Sequence, residues 1–163
     1  MDLDAVVRRL ELEALYTDYA DCLDNDALED WPAFFTDDCR YRITSAENVE
    51  AGLPIGIVYA TSRAMLVDRV MALRKANIYE PQRYRHIVGT LKIGPADDNN
   101  DAGVVAVTAS FLVVRTMQDG DMSLFAAGRY VDRVVQHGAA WKFAKKDVVL
   151  DSRRVDTLLA IPL

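Results

Sequence analysis

The last 42 residues of the chain constrain its fold more than any other segment. Two strand-like runs, residues 122–137 and 140–152, meet at a tight turn, and the second leads directly into an apolar tail, residues 155–163. Two long runs joined by a short turn predict a β-hairpin. The tail ends in LLAIPL. We therefore expect it to be buried, either against this chain's own core or against a partner.

The composition limits the kinds of protein that this chain can be. It has 163 residues, of which 51% are apolar, enough for one domain over residues 1–163. A net charge of −6 disfavours nucleic acid and anionic membrane surfaces as partners. Only Cys22 and Cys39 are present, no apolar run is long enough to span a membrane, and the first residues lack a signal-peptide pattern. We therefore expect a cytoplasmic protein with free thiols.

Helices are predicted in the first half of the chain. Apolar residues recur at helical spacing in residues 3–23, and Asp2 or Asp4 is placed to cap the first turn. A second, short helix is predicted around Trp31 and Phe34 and ends at residues 36–38. The rest of this half predicts a strand over residues 39–44, a loop over residues 45–56 and a third helix capped by Ser62.

Strands are predicted in the second half. They cover residues 83–93, 104–117, 122–137 and 140–151, which are separated by turn-forming segments. Along the last strand the alternation slips, because Trp141 and Phe143 share one face whereas Val148 and Leu150 share the other, and this predicts a bulge near residues 145–147. Helices followed by a long curved antiparallel sheet predict an α+β fold, with the helices packed into the concave face of the sheet.

Motifs for cofactors are missing from the sequence. The glycines form neither a dinucleotide-binding nor a phosphate-binding loop. The possible metal ligands Cys22, Cys39, His86 and His137 form no CxxC or HxxxH pattern, and His137 falls in a predicted turn. We therefore expect no metal and no cofactor in this chain.

Acid–base chemistry has a few candidate residues: Asp37, Asp38, Tyr41, Tyr84 and His86. A helix end and a strand that face one cavity can bring a carboxylate, a phenol and an imidazole together. Each candidate also has a structural interpretation, which we favour: the two aspartates fit a turn after a helix, and a single histidine in a strand fits a hydrogen-bonded structural residue. The two cysteines have no neighbouring base in the sequence, so a thiol nucleophile is not expected.

Arginine is concentrated in the β-rich half, although the whole chain is acidic. Arginine is favoured at interfaces because its planar guanidinium forms bidentate pairs and stacks on aromatic rings. Solvated charges and ion pairs within the chain are the alternative interpretation. The candidate interface residues are Arg83, Arg85, Arg115, Arg129, Arg133, Arg153 and Arg154.

Several segments together resemble one known family. They are LYTDYA at residues 15–20, Trp31, FFTDDCRY at 34–41, RYRH at 83–86, FLVVR at 111–115, LFAAGRYVD at 124–132 and WKFAKKDVVLD at 141–151, followed by the apolar tail. In this order they resemble the small (β) subunit of aromatic-ring-hydroxylating dioxygenases over essentially the whole chain. The FFxDD motif is shared with the wider NTF2-like superfamily, whereas its combination with RxRH and the tail is more specific.

The resemblance implies an NTF2-like cone and a hexamer of three large and three small subunits. The large (α) subunit would carry a Rieske [2Fe–2S] cluster and a mononuclear Fe(II), with electrons supplied from NADH by a separate reductase. This chain would then have a role in assembly and no catalytic residues. Its start at the first helix, without a leader segment, resembles the small subunits of benzoate and anthranilate dioxygenases, which implies a carboxylated aromatic substrate for the complex.

A second interpretation keeps the same fold but assigns it a different function. A stand-alone NTF2-like lyase or isomerase would use the cavity of the cone, with Asp38, Tyr41 and His86 as acid–base groups. A ligand-binding or assembly protein of the same fold is a third possibility. Fold alone does not distinguish these functions, because the site decides the chemistry.

Overall fold

A computed structural model describes residues 2–76, 80–96, 103–154 and 161–163 of the chain. The helical elements are α1 (Leu3–Asp24), a 3₁₀ turn (Trp31–Phe34), α2 (Ala46–Glu50) and α3 (Arg63–Ala76). The strands are β1 (Phe35–Ser45), β2 (Val58–Ala60), β3 (Gln82–Val88), β4 (Lys92–Ala96), β5 (Val104–Met117), β6 (Met122–His137) and β7 (Ala140–Leu150). The predicted α+β class with helices in the first half and a long sheet in the second is confirmed.

Among the described residues the strands form one sheet in the order β2-β1-β7-β6-β5-β3, and β4 also pairs with β5. All strand pairs are antiparallel except β1 and β7, which run parallel. The antiparallel pairing predicted for the strands of residues 83–151 is therefore confirmed, and the parallel pair involves a strand whose partner was not predicted. The sequence of β1 does not indicate which strand it pairs with. Parallel strands need a long connection, and β1 and β7 are connected along the chain by all the elements from α2 to β6.

The first helix forms as its sequence pattern predicts. The carboxylate of Asp2 accepts a hydrogen bond from the backbone N–H of Ala5 at 2.7 Å and caps the first turn. The side chains of Leu12, Tyr16 and Tyr19 lie on one side and are buried against the sheet. We call the sheet face that they contact the inner face, and the opposite one the outer face.

Two local predictions in the first half were wrong. Residues 36–38 do not end a helix, because the strand β1 begins at Phe35, whose side chain is fully buried and whose backbone pairs with β7. Residues 45–56 are not only a loop, since the hydroxyl of Ser45 accepts a hydrogen bond from the N–H of Asn48 at 3.2 Å and starts the short helix α2. The predicted cap at Ser62 is confirmed by its bond from the N–H of Met65 at 3.2 Å.

One predicted strand is divided in the structure. Residues 83–93 contain nearly all of one strand, β3, and the beginning of another, β4, with a break between Val88 and Lys92. Both strands pair with β5, β3 with its second half and β4 with its first half. The break is held by a hydrogen bond from the N–H of Gly89 to the carbonyl of Ser110 at 2.8 Å.

The predicted bulge is present in β7, one residue before the predicted range. Arg133 pairs with Lys145 and Val134 with Phe143, so Ala144 is the extra residue on β7. This shift places Lys146 and Val148 on the same inner face as Phe143, and all three are fully buried. A second irregularity lies in β6. Val113 of β5 pairs with Ala126 and Val114 pairs with Leu124, so Phe125 is an extra residue on β6.

The inner face and α1 enclose a core rich in aromatic rings. Tyr19 lies edge-on to Phe143 at 5.4 Å, and Trp31 is edge-on to Tyr41 at 5.2 Å between ring centroids. The last residue, Leu163, is fully buried in this core. The expected burial of the apolar tail is thus confirmed for residues 161–163, while residues 155–160 lie outside the described part of the chain.

We expect that Gly128→Ala destabilises the protein by about 3 kcal/mol or more, because it forces two backbones apart. A Cβ atom at Gly128 would overlap the carbonyl oxygen of Val149 and lie 3.0 Å from the Cα of Leu150. Gly94→Ala is the matched control, since its nearest contact is the carbonyl oxygen of Ala106 at 3.3 Å. Denaturant unfolding at equal protein concentrations measures both, and equal stability of the two variants would contradict the expectation.

Candidate functional site

A buried lysine occupies the centre of the inner face. Lys146 is fully buried, and its Nζ atom lies 2.9 Å from Oδ2 of Asp132, which is also buried. Asp132 and Lys146 are direct partners across β6 and β7. The bulge at Ala144 is what turns Lys146 inward, because without it the residue would face the outside.

Aromatic rings surround the Lys146 ammonium group on several sides. Its Nζ lies 3.6 Å from the ring centroid of Tyr130, 4.3 Å from that of Phe143, 4.6 Å from that of Tyr19 and 4.9 Å from that of Tyr16. A cation over aromatic faces gains electrostatic stabilisation that is larger in a desolvated site. The rings therefore replace part of the hydration that the ammonium loses.

The titration behaviour of this cluster is dominated by burial. Burial raises the pKa of the Asp132 carboxyl, and the neighbouring Lys146 opposes this effect. Burial also lowers the pKa of Lys146, and here the attraction of Asp132 acts in the opposite direction. The hydroxyl of Tyr16 donates a hydrogen bond to Asp132, and burial raises the pKa of this phenol. Neither partner is stable here without the other.

The chain's own last residue fills the space next to this cluster. The hydroxyl of Tyr19 donates to the main-chain oxygen of Leu163 at 2.8 Å, and that of Tyr41 donates to the same oxygen at 3.1 Å. The N–H of Leu163 in turn donates to Tyr41 Oη at 3.1 Å, and the indole of Trp31 donates to Tyr19 Oη at 3.3 Å. Side chains and the chain terminus together fill this part of the interior.

His86 is held by an acidic residue at the end of α1. The carboxylate of Asp24 accepts from the backbone N–H of His86 at 3.0 Å and lies 2.6 Å from its Nδ1. Among the described strands β3 is at the edge of the sheet, so Asp24 takes the place of a further strand. Asp24 and His86 both lie at a surface cavity of about 500 Å³, although the imidazole side chain has no exposed surface. The bonds to Asp24 hold both the backbone and the ring of His86 in place.

The structure does not assemble the predicted acid–base set. Asp38 is exposed on β1, Tyr41 is buried and bonded to Leu163, and His86 is bonded to Asp24. Asp37, which was also considered, is exposed, and Tyr84 is buried and stacks on Phe125 at 5.1 Å. Asp38, Tyr41 and His86 therefore have separate environments.

The two thiols are suited to a packing role. Cys22 and Cys39 are buried and are not joined in a disulfide. Burial raises the pKa of each thiol to about 11. Near neutral pH both are protonated and are poor nucleophiles. Within the residues that the structure describes, no three His, Cys, Asp or Glu side chains form a group that could hold a metal ion.

The predicted arginines divide into two groups. Arg115 is half-buried, and its guanidinium carbon lies 4.7 Å from the ring centroid of Phe125. Arg83, Arg85, Arg129 and Arg133 are exposed and alternate with buried inner residues, so they project from the outer face. Arg153 and Arg154 are exposed just after β7.

The outer face also carries an ion cluster around Asp147. Arg42 donates from Nε and Nη2 to the two carboxylate oxygens of Asp147 at 3.2 and 2.9 Å, a bidentate pair. Lys145 lies 3.1 Å and Arg40 3.9 Å from the same carboxylate. One acid thus faces three cations, and this part of the outer face keeps a positive charge although the protein is acidic.

Sequence reasoning missed the Lys146–Asp132 pair and the role of Asp24. The burial of Asp132 could have been predicted from the sequence, because Tyr130 and Val134 point inward and side chains two residues apart on a strand share a face. The inward orientation of Lys146 could be predicted only with the bulge placed at Ala144, where the structure has it. Asp24 gives no local signal, since its contact with His86 spans 62 residues.

A curved sheet that packs on N-terminal helices, with its centre occupied by side chains, places the chain in the class of NTF2-like proteins. Residues 19–157 match the family model described as ring hydroxylating beta subunit. The chain therefore belongs to this family of dioxygenase β subunits. The predicted membership is confirmed, and the comparisons support it over the lyase or isomerase alternative.

Individual relatives agree over nearly the full length. The chain is 41% identical to subunit beta 1 of the terminal oxygenase component of terephthalate 1,2-dioxygenase from Comamonas sp., over 97% of this chain and 100% of that protein. It is 42% identical to the small subunit of anthranilate 1,2-dioxygenase from Burkholderia cepacia, over 94% and 92%. A crystal structure from Novosphingobium aromaticivorans, assigned as the beta subunit of an aromatic-ring-hydroxylating dioxygenase, is 38% identical, with a TM-score of 0.87 over 98% and 99%.

We expect that Lys146→Met destabilises the protein by about 3–5 kcal/mol, because it leaves the Asp132 carboxyl buried without its cation. The double variant Lys146→Met/Asp132→Asn is expected to recover much of this loss, since no charge is buried and the amide oxygen can still accept from Tyr16. Denaturant unfolding measures both variants. A single variant within about 1 kcal/mol of the wild type would show that the pair has little effect on stability.

We expect that His86→Ala lowers the free energy of unfolding by about 2–3 kcal/mol, because the carboxylate of Asp24 loses a charge-assisted hydrogen bond. His137→Ala is the matched control, since His137 is exposed at the end of β6. Unfolding curves of the two variants test this expectation, and equal stabilities would argue against a structural role of His86.

Proposed function

We propose that this chain is the assembly subunit of a terminal oxygenase in aromatic-compound catabolism. It forms a trimer and supports an α subunit that dihydroxylates an aromatic ring. The α subunit holds the Rieske [2Fe–2S] cluster and the mononuclear Fe(II), and a separate reductase supplies electrons from NADH. The cytoplasm is the proposed location. No helix in the described ranges has the length and hydropathy needed to cross a bilayer.

The observation that carries the proposal is the filled interior. The centre of the inner face, where a cone of this fold would enclose a substrate, is occupied by Lys146, Asp132, their aromatic neighbours and Leu163. The cavity of about 500 Å³ at His86 lies beside β3, and there the imidazole is bonded to Asp24. α1 and Leu163 meet in this same core, which supports one NTF2-like domain over residues 1–163. Family membership independently supports the role of a β subunit.

We propose a carboxylated aromatic ring as the substrate class of the complex. Terephthalate and anthranilate, in the names of the two full-length relatives, are both aromatic carboxylates. Because the chemistry is assigned to the α subunit, no residue of this chain is proposed to contact the substrate. The outer-face arginines and the exposed Arg153 and Arg154 are proposed to contact partner subunits, and Arg115 to support that surface through Phe125.

Co-expression with a Rieske-type α subunit tests this function. We expect a complex of defined stoichiometry that contains iron and oxidises an aromatic carboxylate when reductase and NADH are added. The β chain expressed alone is the control and is expected to contain no iron. Turnover of a small carbonyl compound by the isolated chain, or failure of every such α subunit to co-purify, would contradict the proposal.

A further inference from the structure

The first half of α1 carries an apolar stripe that is exposed in the part of the chain that the structure describes. Leu3, Val6, Val7 and Leu10 are spaced by three or four residues and therefore share one side of the helix. Their exposed fractions run from 36% for Val6 to 76% for Leu3. We call these four residues the helix stripe. An exposed apolar stripe of this kind is typical of a docking surface.

Acidic residues form a row beside the helix stripe. Asp4, Glu11 and Asp18 are exposed and follow each other at intervals of seven residues, which is about two helical turns. Glu11 and Asp18 also line a groove of about 500 Å³, whose apolar walls include Ala14 and Trp141. Such a groove suits an arginine, whose alkyl stem packs on apolar walls while its guanidinium binds carboxylates.

The outer face of the sheet has an apolar patch of its own. Ile87, Met122 and Leu124 are exposed there by 53%, 70% and 65%. They surround Leu112 and Val114, which are half-buried and which pair with Ile87 and Leu124 across the sheet. We call these five residues the sheet patch.

Arginines flank the sheet patch. Arg83 and Arg85 project from β3 on the same face, and Arg129 projects from β6 next to Ser110. Two sheet patches placed face to face would bring these cations together, and two helix stripes would bring the acidic rows together. Asp119 and Asp121 are exposed in the turn before Met122, so the cationic side of the sheet patch is the side with Arg83, Arg85 and Arg129. The helix stripe with its acids complements that side of the sheet patch.

The two surfaces face in opposite directions. The buried side of α1 packs on the inner face of the sheet, so the helix stripe on its exposed side points away from the sheet. The sheet patch lies on the outer face of the same sheet. A single subunit therefore does not bring its own two surfaces together.

We propose that the helix stripe of one copy of this chain docks on the sheet patch of a second copy, with the acidic row against Arg83, Arg85 and Arg129. The contact is heterologous, and such contacts form closed rings when the rotation between copies allows it. This deepens the proposed function, because it assigns the surfaces that hold the trimer together. A ring of three uses every stripe and every patch once.

Charge reversal and its rescue test the proposal on the isolated full-length chain. Arg83→Glu/Arg129→Glu and Asp4→Lys/Asp18→Lys are each expected to raise the concentration for half-dissociation more than about tenfold, because like charges then face each other. Arg85 is left unchanged, since its guanidinium also lies 3.9 Å from Asp24 within the same chain. The quadruple variant that combines all four changes restores opposite charges and is expected to reassociate. Lys75→Glu, at an exposed cation on α3, is the matched control and is expected to behave as the wild type.

Sedimentation velocity at low and high salt measures the association, and circular dichroism checks that each variant is folded. High salt is expected to weaken the wild-type trimer. Leu3→Ser/Leu10→Ser changes no charge and is expected to dissociate it at both salt concentrations. A monomeric wild type, double variants that stay trimeric, or a folded quadruple variant that stays monomeric would each overturn the proposal. Binding of the α subunit is measured separately, so failure of the proposed function gives a different result.

Discussion

The bulge at Ala144 is the constraint on which both faces of this sheet depend. Because side chains alternate along a strand, one extra residue exchanges the faces for all the residues that follow. After Ala144, Lys146 and Val148 enter the interior while Lys145 and Asp147 turn outward. The same shift therefore builds the pair between Lys146 and Asp132 inside and the ion cluster around Asp147 outside. Removing it would place a lysine on the surface and an aspartate in the core.

The interior shows why a shared fold leads to different functions. A cone that is open at its centre can enclose a substrate, whereas the centre of this one is occupied by a cation held between aromatic rings and by Leu163. A buried ion pair stabilises less than a well-packed apolar cluster of the same volume but fixes one arrangement of its neighbours. Here the pair joins β6 and β7 directly, so both charged groups meet and are buried in the observed register of the two strands. The same two strands present the outer face that we propose to meet partners.

Local patterns in the sequence were sufficient for the elements but not for their long-range pairing. The cap at Asp2, the helix spacing of α1 and the bulge in β7 follow from neighbouring residues, and the structure confirms them. The parallel pairing of β1 with β7 and the contact of Asp24 with His86 join residues far apart in the chain, for which no local signal exists. For the same reason Asp38, Tyr41 and His86 were grouped by residue type, although their neighbours in space differ.

Charge is distributed unevenly over this subunit, and the fold is the cause. Acidic residues cluster in α1, whereas the exposed side chains of β3 and β6 next to the sheet patch are arginines. A protein with a net charge of −6 would repel its own copies if the acids were spread evenly. In the contact that we propose, an acidic helix of one copy faces the arginines of the next, so that repulsion is replaced by attraction in one relative orientation. Because such an attraction joins unlike surfaces, it would favour a ring over a symmetric pair.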